Sequence, residues 1–148
     1  MNFQYNDGGR KDAGFKGKIQ PRDCVCRAIA IATGKPYREV YDAINEKAKA
    51  ARKGSRAGKS AARNGVYKEL YRELLTEWGW TWTPTMLVGK GCQVHLREDE
   101  LPQGTLICSV SKHLVCVKDG TIHDTHDCSR GGKRCVYGYW SKEKKNDE

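Results

Sequence analysis

Residues 111–127 read SKHLVCVKDGTIHDTHD, and the Asp119-Gly120 pair at their centre is the strongest two-residue hairpin signal in the chain. With a two-residue turn, Lys118 pairs with Thr121, Val117 with Ile122, Cys116 with His123, Val115 with Asp124 and His113 with His126. Strand alternation then sets His113, Val115, Val117, Ile122, Asp124 and His126 on one face, and Leu114, Cys116, His123 and Asp127 on the other. Other short β-like runs surround this hairpin: WTWTPTM at 80–86, LICSV at 106–110 and CVYGYW at 135–140.

Upstream of Gly79 the texture is helical. DCVCRAIAIAT at 23–33 opens on Asp23, a good N-cap residue, and closes on Gly34. Its Val25, Ala28, Ile29, Ala30, Ile31 and Ala32 leave few polar sides, the pattern of a buried helix that begins at Cys24. Pro36 opens a second helix whose Tyr37, Val40, Tyr41 and Ile44 recur at i, i+3, i+4 and i+7. A third, at about 67–78, carries Leu70, Tyr71, Leu74 and Leu75 on one stripe. Helices first and an antiparallel sheet after is an α+β order, with three N-terminal helices packed on a C-terminal sheet.

The 148 residues suit one domain, 38% apolar and 30% charged. A mean hydropathy of -0.76 and the absence of any apolar run near ~18 residues exclude a helical membrane span. Residues 1–18 are glycine-rich with little periodicity and read as a flexible arm or an irregular first strand; 19–141 form the domain and 142–148 a charged tail. No apolar signal segment opens the chain, so the expected compartment is the reducing cytoplasm. There the seven cysteines are expected to be free thiols, metal ligands or a nucleophile, not a disulfide frame.

The net charge of +9 is concentrated. Residues 47–64, KAKAARKGSRAGKSAARN, hold seven basic residues and no acid, and read as a flexible linker or the frayed end of the second helix. The run that opens on Lys47 and closes on Arg63 is expected to steer an acidic protein or peptide substrate, or to bind nucleic acid weakly and without sequence preference through phosphates. Trp78, Trp80 and Trp82 read as core plus one exposed ring. No membrane partner is expected.

Three features then coincide: Cys24 in the first turn of a buried helix, His113 at the head of a strand, and Asp124 on the same face of the partner strand. A free thiol is mostly protonated at neutral pH and needs a positive environment to become the nucleophilic thiolate. A helix N-terminus supplies part of it, and an imidazole held in one tautomer by a third group supplies the rest. RDCVCRAIA at 22–30 together with SKHLVCVKDGTIHDTHD resembles the papain-like cysteine peptidase superfamily, especially its small bacterial and phage-borne members and the bacteriocin-processing type. The resemblance covers roughly residues 20–140. It implies a papain-like α+β fold with Cys24 as nucleophile, His113 as general base and acid, Asp124 as the orienting residue and Gln20, four residues before Cys24, as an oxyanion donor beside the Cys24 backbone N–H. The implied activity is acyl transfer through a thioester, as a peptidase or isopeptidase, with a transferase using the same parts and no cofactor.

Alternatives attach to the same residues. Cys26 is the rival nucleophile, about 200° around the helix from Cys24. His126, opposite His113, could tune or replace it, and Asp127 points to the other face unless the strand bulges. His95 and His123 read as surface or loop histidines. A structural zinc would draw on Cys108, His113, Cys116, His123, His126 and Cys128, but paired Cys-x2-Cys knuckles are missing and the hairpin register divides the set, so no metal is expected. The remaining class is a non-enzymatic basic protein, a binder of nucleic acid or of a host protein such as a phage-type inhibitor, with structural Cys and His.

Overall fold

The structure, a computed structural model, describes residues 1–14, 23–50 and 68–142. In chain order its elements are β1 (Asn2–Tyr5), α1 (Cys24–Thr33), α2 (Tyr37–Ala50), α3 (Lys68–Glu77), β2 (Thr81–Pro84), β3 (Thr105–Val110), β4 (His113–Lys118), β5 (Thr121–Asp124) and β6 (Val136–Ser141). The strands form one sheet in the order β1-β5-β4-β3-β6-β2. β1 runs parallel to β5 and every other pair is antiparallel. The fold is α+β, with a mixed rather than purely antiparallel sheet.

α1 is buried from Val25 to Ile31 and packs on β4, β3 and β5 with α2 against its other side. Gly34 ends it in the left-handed region at φ 75, donating its N–H to the Ala30 carbonyl at 3.0 Å. α2 buries Tyr37, Val40, Ile44 and Ala48, and α3 buries Leu70, Tyr71, Leu74 and Leu75, the stripes that the helical periodicity predicts. Together with Ile107, Leu114 and Trp140 they make the core on the helical face of the sheet. On the opposite face Val115, Val117, Ile122, Leu106 and Val136 pack beneath Leu96, Leu101 and Cys128, which come from irregular segments.

The central hairpin turns through Asp119 and Gly120 at φ 47 and φ 79, both positive as a type I′ turn requires. Its ladder joins Lys118 to Thr121, Val117 to Ile122 and Cys116 to His123, the register expected. It stops there: the expected pair of Val115 with Asp124 is not part of the ladder, and that of His113 with His126 falls beyond β5, which ends at Asp124. β1 takes the outer edge of β5, and Asn6 N–H donates to the Asp124 carbonyl at 2.9 Å.

For residues 2–5 and 47–50 the structure decides between the alternatives, and it corrects one expectation, about the cysteines. Residues 2–5 of the arm are a sheet strand, and the turn that follows packs Gly8 against α1 while Arg10 pairs with Asp23 at 3.6 Å. A four-residue strand whose partner lies near the other end of the chain leaves no local periodicity to read. Residues 47–50 are the last turn of α2, with Lys47 bridging Glu73 and Glu77 of α3 at 3.2 and 2.8 Å; the rest of the basic run lies outside the described residues, as does the tail after Lys142. Cys92 and Cys135 form a disulfide, leaving five free cysteines. The loop around Cys92 meets the start of β6 only in three dimensions, through a bridge between His95 and Cys135.

Where β2 crosses β6, Trp82 lies over Gly138: a Cβ there would fall inside the indole and 2.8 Å from the Thr83 carbonyl oxygen. Gly138→Ala is therefore expected to lower stability by about 1–3 kcal/mol, the range for overpacking, measured by urea unfolding. Stability equal to the unsubstituted chain would show that Trp82 does not sit on this position.

Candidate active site

Three elements converge at one end of the sheet: the N-terminus of α1, the head of β4 and the end of β5. Cys24 is the first residue of α1 and is half-buried. A tight turn takes Lys112 to φ 55, an uncommon conformation for a side-chain-bearing residue, and so delivers His113 to the first position of β4. Asp124 closes β5 with its side chain only 4% exposed.

His113 Nε2 lies 2.6 Å from Asp124 Oδ2. The other carboxylate oxygen of Asp124 accepts from the Thr125 N–H at 2.7 Å and from Arg27 Nη2 at 3.3 Å. Burial alone would raise the Asp124 carboxyl, but the His113 bond and charge, the Thr125 N–H and Arg27 hold it below the usual range. Burial opposes charge on the His113 ring, and Asp124 first, then the neighbouring Cys128 and Cys24 thiols, push its affinity for a proton upward. Cys24 shows the complementary shift. Burial works against the thiolate, yet the neighbouring His113 ring and its charge, the Leu114 N–H and Arg27 bring the thiol below its ordinary value. With Nε2 committed to Asp124, Nδ1 is the ring nitrogen left for a thiol proton.

The structure thus brings Cys24, His113 and Asp124 together. Cys26 is turned away: it is fully buried, its sulfur lies 3.9 Å from the Tyr37 carbonyl oxygen, and burial pushes its thiol up to about 12. His126 stacks its ring 5.4 Å from that of His113 without contacting Cys24 or Asp124 by any bond among the described residues. Asp127 stays off the site, its carboxylate accepting from the Ser129 N–H and hydroxyl at 3.0 and 2.7 Å. Gln20 lies outside the described residues. Within the dense Cys and His set, His113 and Cys128 join Asp124 in a group whose ligand atoms lie within 4.8 Å of one another.

Sequence reasoning missed Arg27. Asp23 makes no capping bond to the α1 backbone, contrary to the N-cap expectation. Its carboxylate, wholly buried, accepts instead from the Arg27 guanidinium and the Tyr37 hydroxyl. Arg27 therefore ties Asp23, at the start of the helix, to Asp124, at the end of β5. A single arginine in an otherwise Ala- and Ile-rich helix was the available signal, since a charge in a buried stripe requires buried partners.

Comparison of the chain with protein-family models, curated proteins and solved structures finds no match.

Removing one member of a buried ion network strands the others. Arg27→Met is expected to cost about 3–5 kcal/mol at neutral pH in denaturant unfolding. Because the folded Asp124 carboxyl is depressed, the stability it adds is present above the unfolded carboxyl value and disappears as the pH falls through the folded one. The Arg27→Met deficit should shrink over that acid range; a deficit that is small, or independent of pH, would contradict the bridge.

Proposed function

We propose that this protein is a cysteine-dependent acyl-transfer enzyme of papain-like architecture, a peptidase or isopeptidase, with Cys24 as nucleophile, His113 as general base and acid and Asp124 as the orienting residue. One observation carries the reading: the half-buried Cys24 thiol, lowered by the His113 ring, whose Nε2 is bonded to a buried carboxylate. The placement of the thiol at a helix start, the imidazole at the head of the adjacent strand and the carboxylate on the next strand supports it as well.

In this mechanism Cys24 passes its proton to His113, and the thiolate attacks the carbonyl carbon of a protein or peptide substrate. The Cys24 backbone N–H at the start of α1 donates to the oxyanion, with Gln20 as the second donor that the resemblance implies. The imidazolium returns the proton to the leaving amine as the C–N bond breaks, and a thioester on Cys24 remains. Water, or an amine in a transferase, then gives a proton to His113 and attacks the thioester, and the thiol is released. Asp124 keeps the ring in the tautomer that leaves Nδ1 toward the sulfur. No cofactor takes part, the basic run 47–63 draws in acidic substrate, and the enzyme works in the cytoplasm.

A second reading has its own observation: the donor atoms of His113, Asp124 and Cys128 are close enough to bind one zinc ion, with Cys128 only 3% exposed. Stoichiometric zinc retained through dialysis, and lost in Cys128→Ser, would favour it.

The activated thiol is tested by alkylation. At pH 6 iodoacetamide should label Cys24 about tenfold or more faster than an ordinary accessible thiol, because a thiol at ~8.5 is then almost wholly protonated. The advantage should fade above about pH 9, where ordinary thiols ionise too. His113→Ala should remove it, and Asp124→Asn should reduce it. If Cys24 reacts no faster than the other thiols and His113→Ala leaves its rate unchanged, the proposal fails.

A further inference from the structure

A second set of thiol, imidazole and carboxylate groups lies away from Cys24, between the irregular loop before β3 and the start of β6. Cys92 and Cys135 are joined with their Cα atoms 5.9 Å apart. His95 Nε2 stands 3.5 Å from Cys92 Sγ, and His95 Nδ1 lies 3.1 Å from Glu100 Oε1. Glu100 is itself fixed, Oε1 accepting the His95 backbone N–H at 3.0 Å and Oε2 lying 3.1 Å from Arg97 Nε. Cys92 is exposed, and the side chains of His95 and Glu100 are 35% and 28% exposed, so a small reagent reaches them.

The backbone holds the two cysteines together independently of the sulfur bond. Leu96 N–H donates to the Arg134 carbonyl at 2.9 Å and Val136 N–H to the Val94 carbonyl at 2.8 Å, on either side of the bridge between His95 and Cys135. Two thiols kept in register this way can open and close without refolding the chain. The other five cysteines remain free, so the bond is not one member of a disulfide frame.

We propose that Cys92–Cys135 is a thiol–disulfide exchange site for a low-molecular-weight thiol, with His95 as its acid–base group and Glu100 positioning His95. The thiolate of the small molecule attacks Cys135 Sγ, the S–S bond breaks, and its electron pair passes to Cys92 Sγ, which takes a proton from His95. A mixed disulfide is left on Cys135. A second small thiol attacks the small molecule's sulfur in it, releasing Cys135 as a thiol and the small molecule as its own disulfide; two electrons from two thiols have then reduced one protein disulfide. His95 selects Cys92 as the leaving sulfur because a stabilised thiolate departs faster. In the reverse direction His95 takes the Cys92 proton, and the thiolate displaces the adduct from Cys135. None of this depends on the chemistry at Cys24.

The test uses the oxidised full chain, glutathione as the probe, and acid quenching followed by peptide mass mapping. The expected first product is a single glutathione adduct on Cys135 with Cys92 free, although Cys92 is the more exposed residue. His95→Ala should slow the exchange about tenfold and move adduct onto Cys92. Glu100→Gln, which keeps an acceptor for the His95 backbone N–H, should shift the adduct the same way by a smaller factor, a change of site that a purely structural role would not produce. The proposal is overturned if the wild-type adduct forms on Cys92, if His95→Ala exchanges at the wild-type rate with the wild-type adduct, or if the disulfide reacts only after unfolding in denaturant.

Discussion

The buried bridge from Asp23 through Arg27 to Asp124 is the constraint on which the remaining geometry depends. The three side chains are 0%, 9% and 4% exposed, so each charge has exchanged water for the others. Such an arrangement holds only when every member is in place, because an isolated buried ion costs several kcal/mol. It therefore fixes where α1 begins relative to where β5 ends. Cys24 follows Asp23 directly and His113 is bonded to Asp124, so the same bridge sets the thiol against the ring. Arg10 and the Tyr37 hydroxyl complete the shell around Asp23, which draws the N-terminal segment and α2 into the same arrangement.

The sheet serves this end of the molecule asymmetrically. Its helical face is filled by the stripes of α1, α2 and α3, and its other face by loops that carry Leu96, Leu101 and Cys128. β5 is only four residues long and on its own would be a weak carrier for a carboxylate that must stay aimed. β1 lends it a second neighbour, pairing Tyr5 with Asp124 and closing with the Asn6 N–H on the Asp124 carbonyl. The N-terminal strand is thus part of what holds Asp124 still.

How much of this was legible followed from the distance over which each interaction acts. The hairpin register was readable because Asp119-Gly120 specifies its turn and the apolar alternation specifies its faces, and that register alone separated Asp124 from Asp127. The helices were readable from their stripes. β1 was legible only as one of two alternatives, since its pairing is parallel and remote. The disulfide was not legible, because the proximity of Cys92 and Cys135 exists only once the loop lies on β6. Asp23 was misread because an aspartate before a helix serves equally well as a cap or as an ion-pair partner; the choice was made by Arg27, four residues on, where no cap would need it.

Cys24 and Cys26 show how that one arrangement divides two thiols on the same turn. Cys24 is half-buried and Cys26 fully buried, and burial by itself disfavours either thiolate. Moving a proton from Cys24 to His113 leaves the net charge of the cluster unchanged: one anion and one cation appear side by side, with Asp124 behind the ring and Arg27 near the sulfur. The burial penalty for the pair is much smaller than for either ion alone. Among the described residues no imidazole acts on Cys26; its sulfur lies 3.9 Å from the Tyr37 carbonyl oxygen, and the negative charge of Asp23 opposes ionisation further. In the proposed mechanism, reactivity in this helix is therefore decided by whether a proton acceptor, itself held by a buried carboxylate, stands within reach, and not by exposure or by the helix terminus alone.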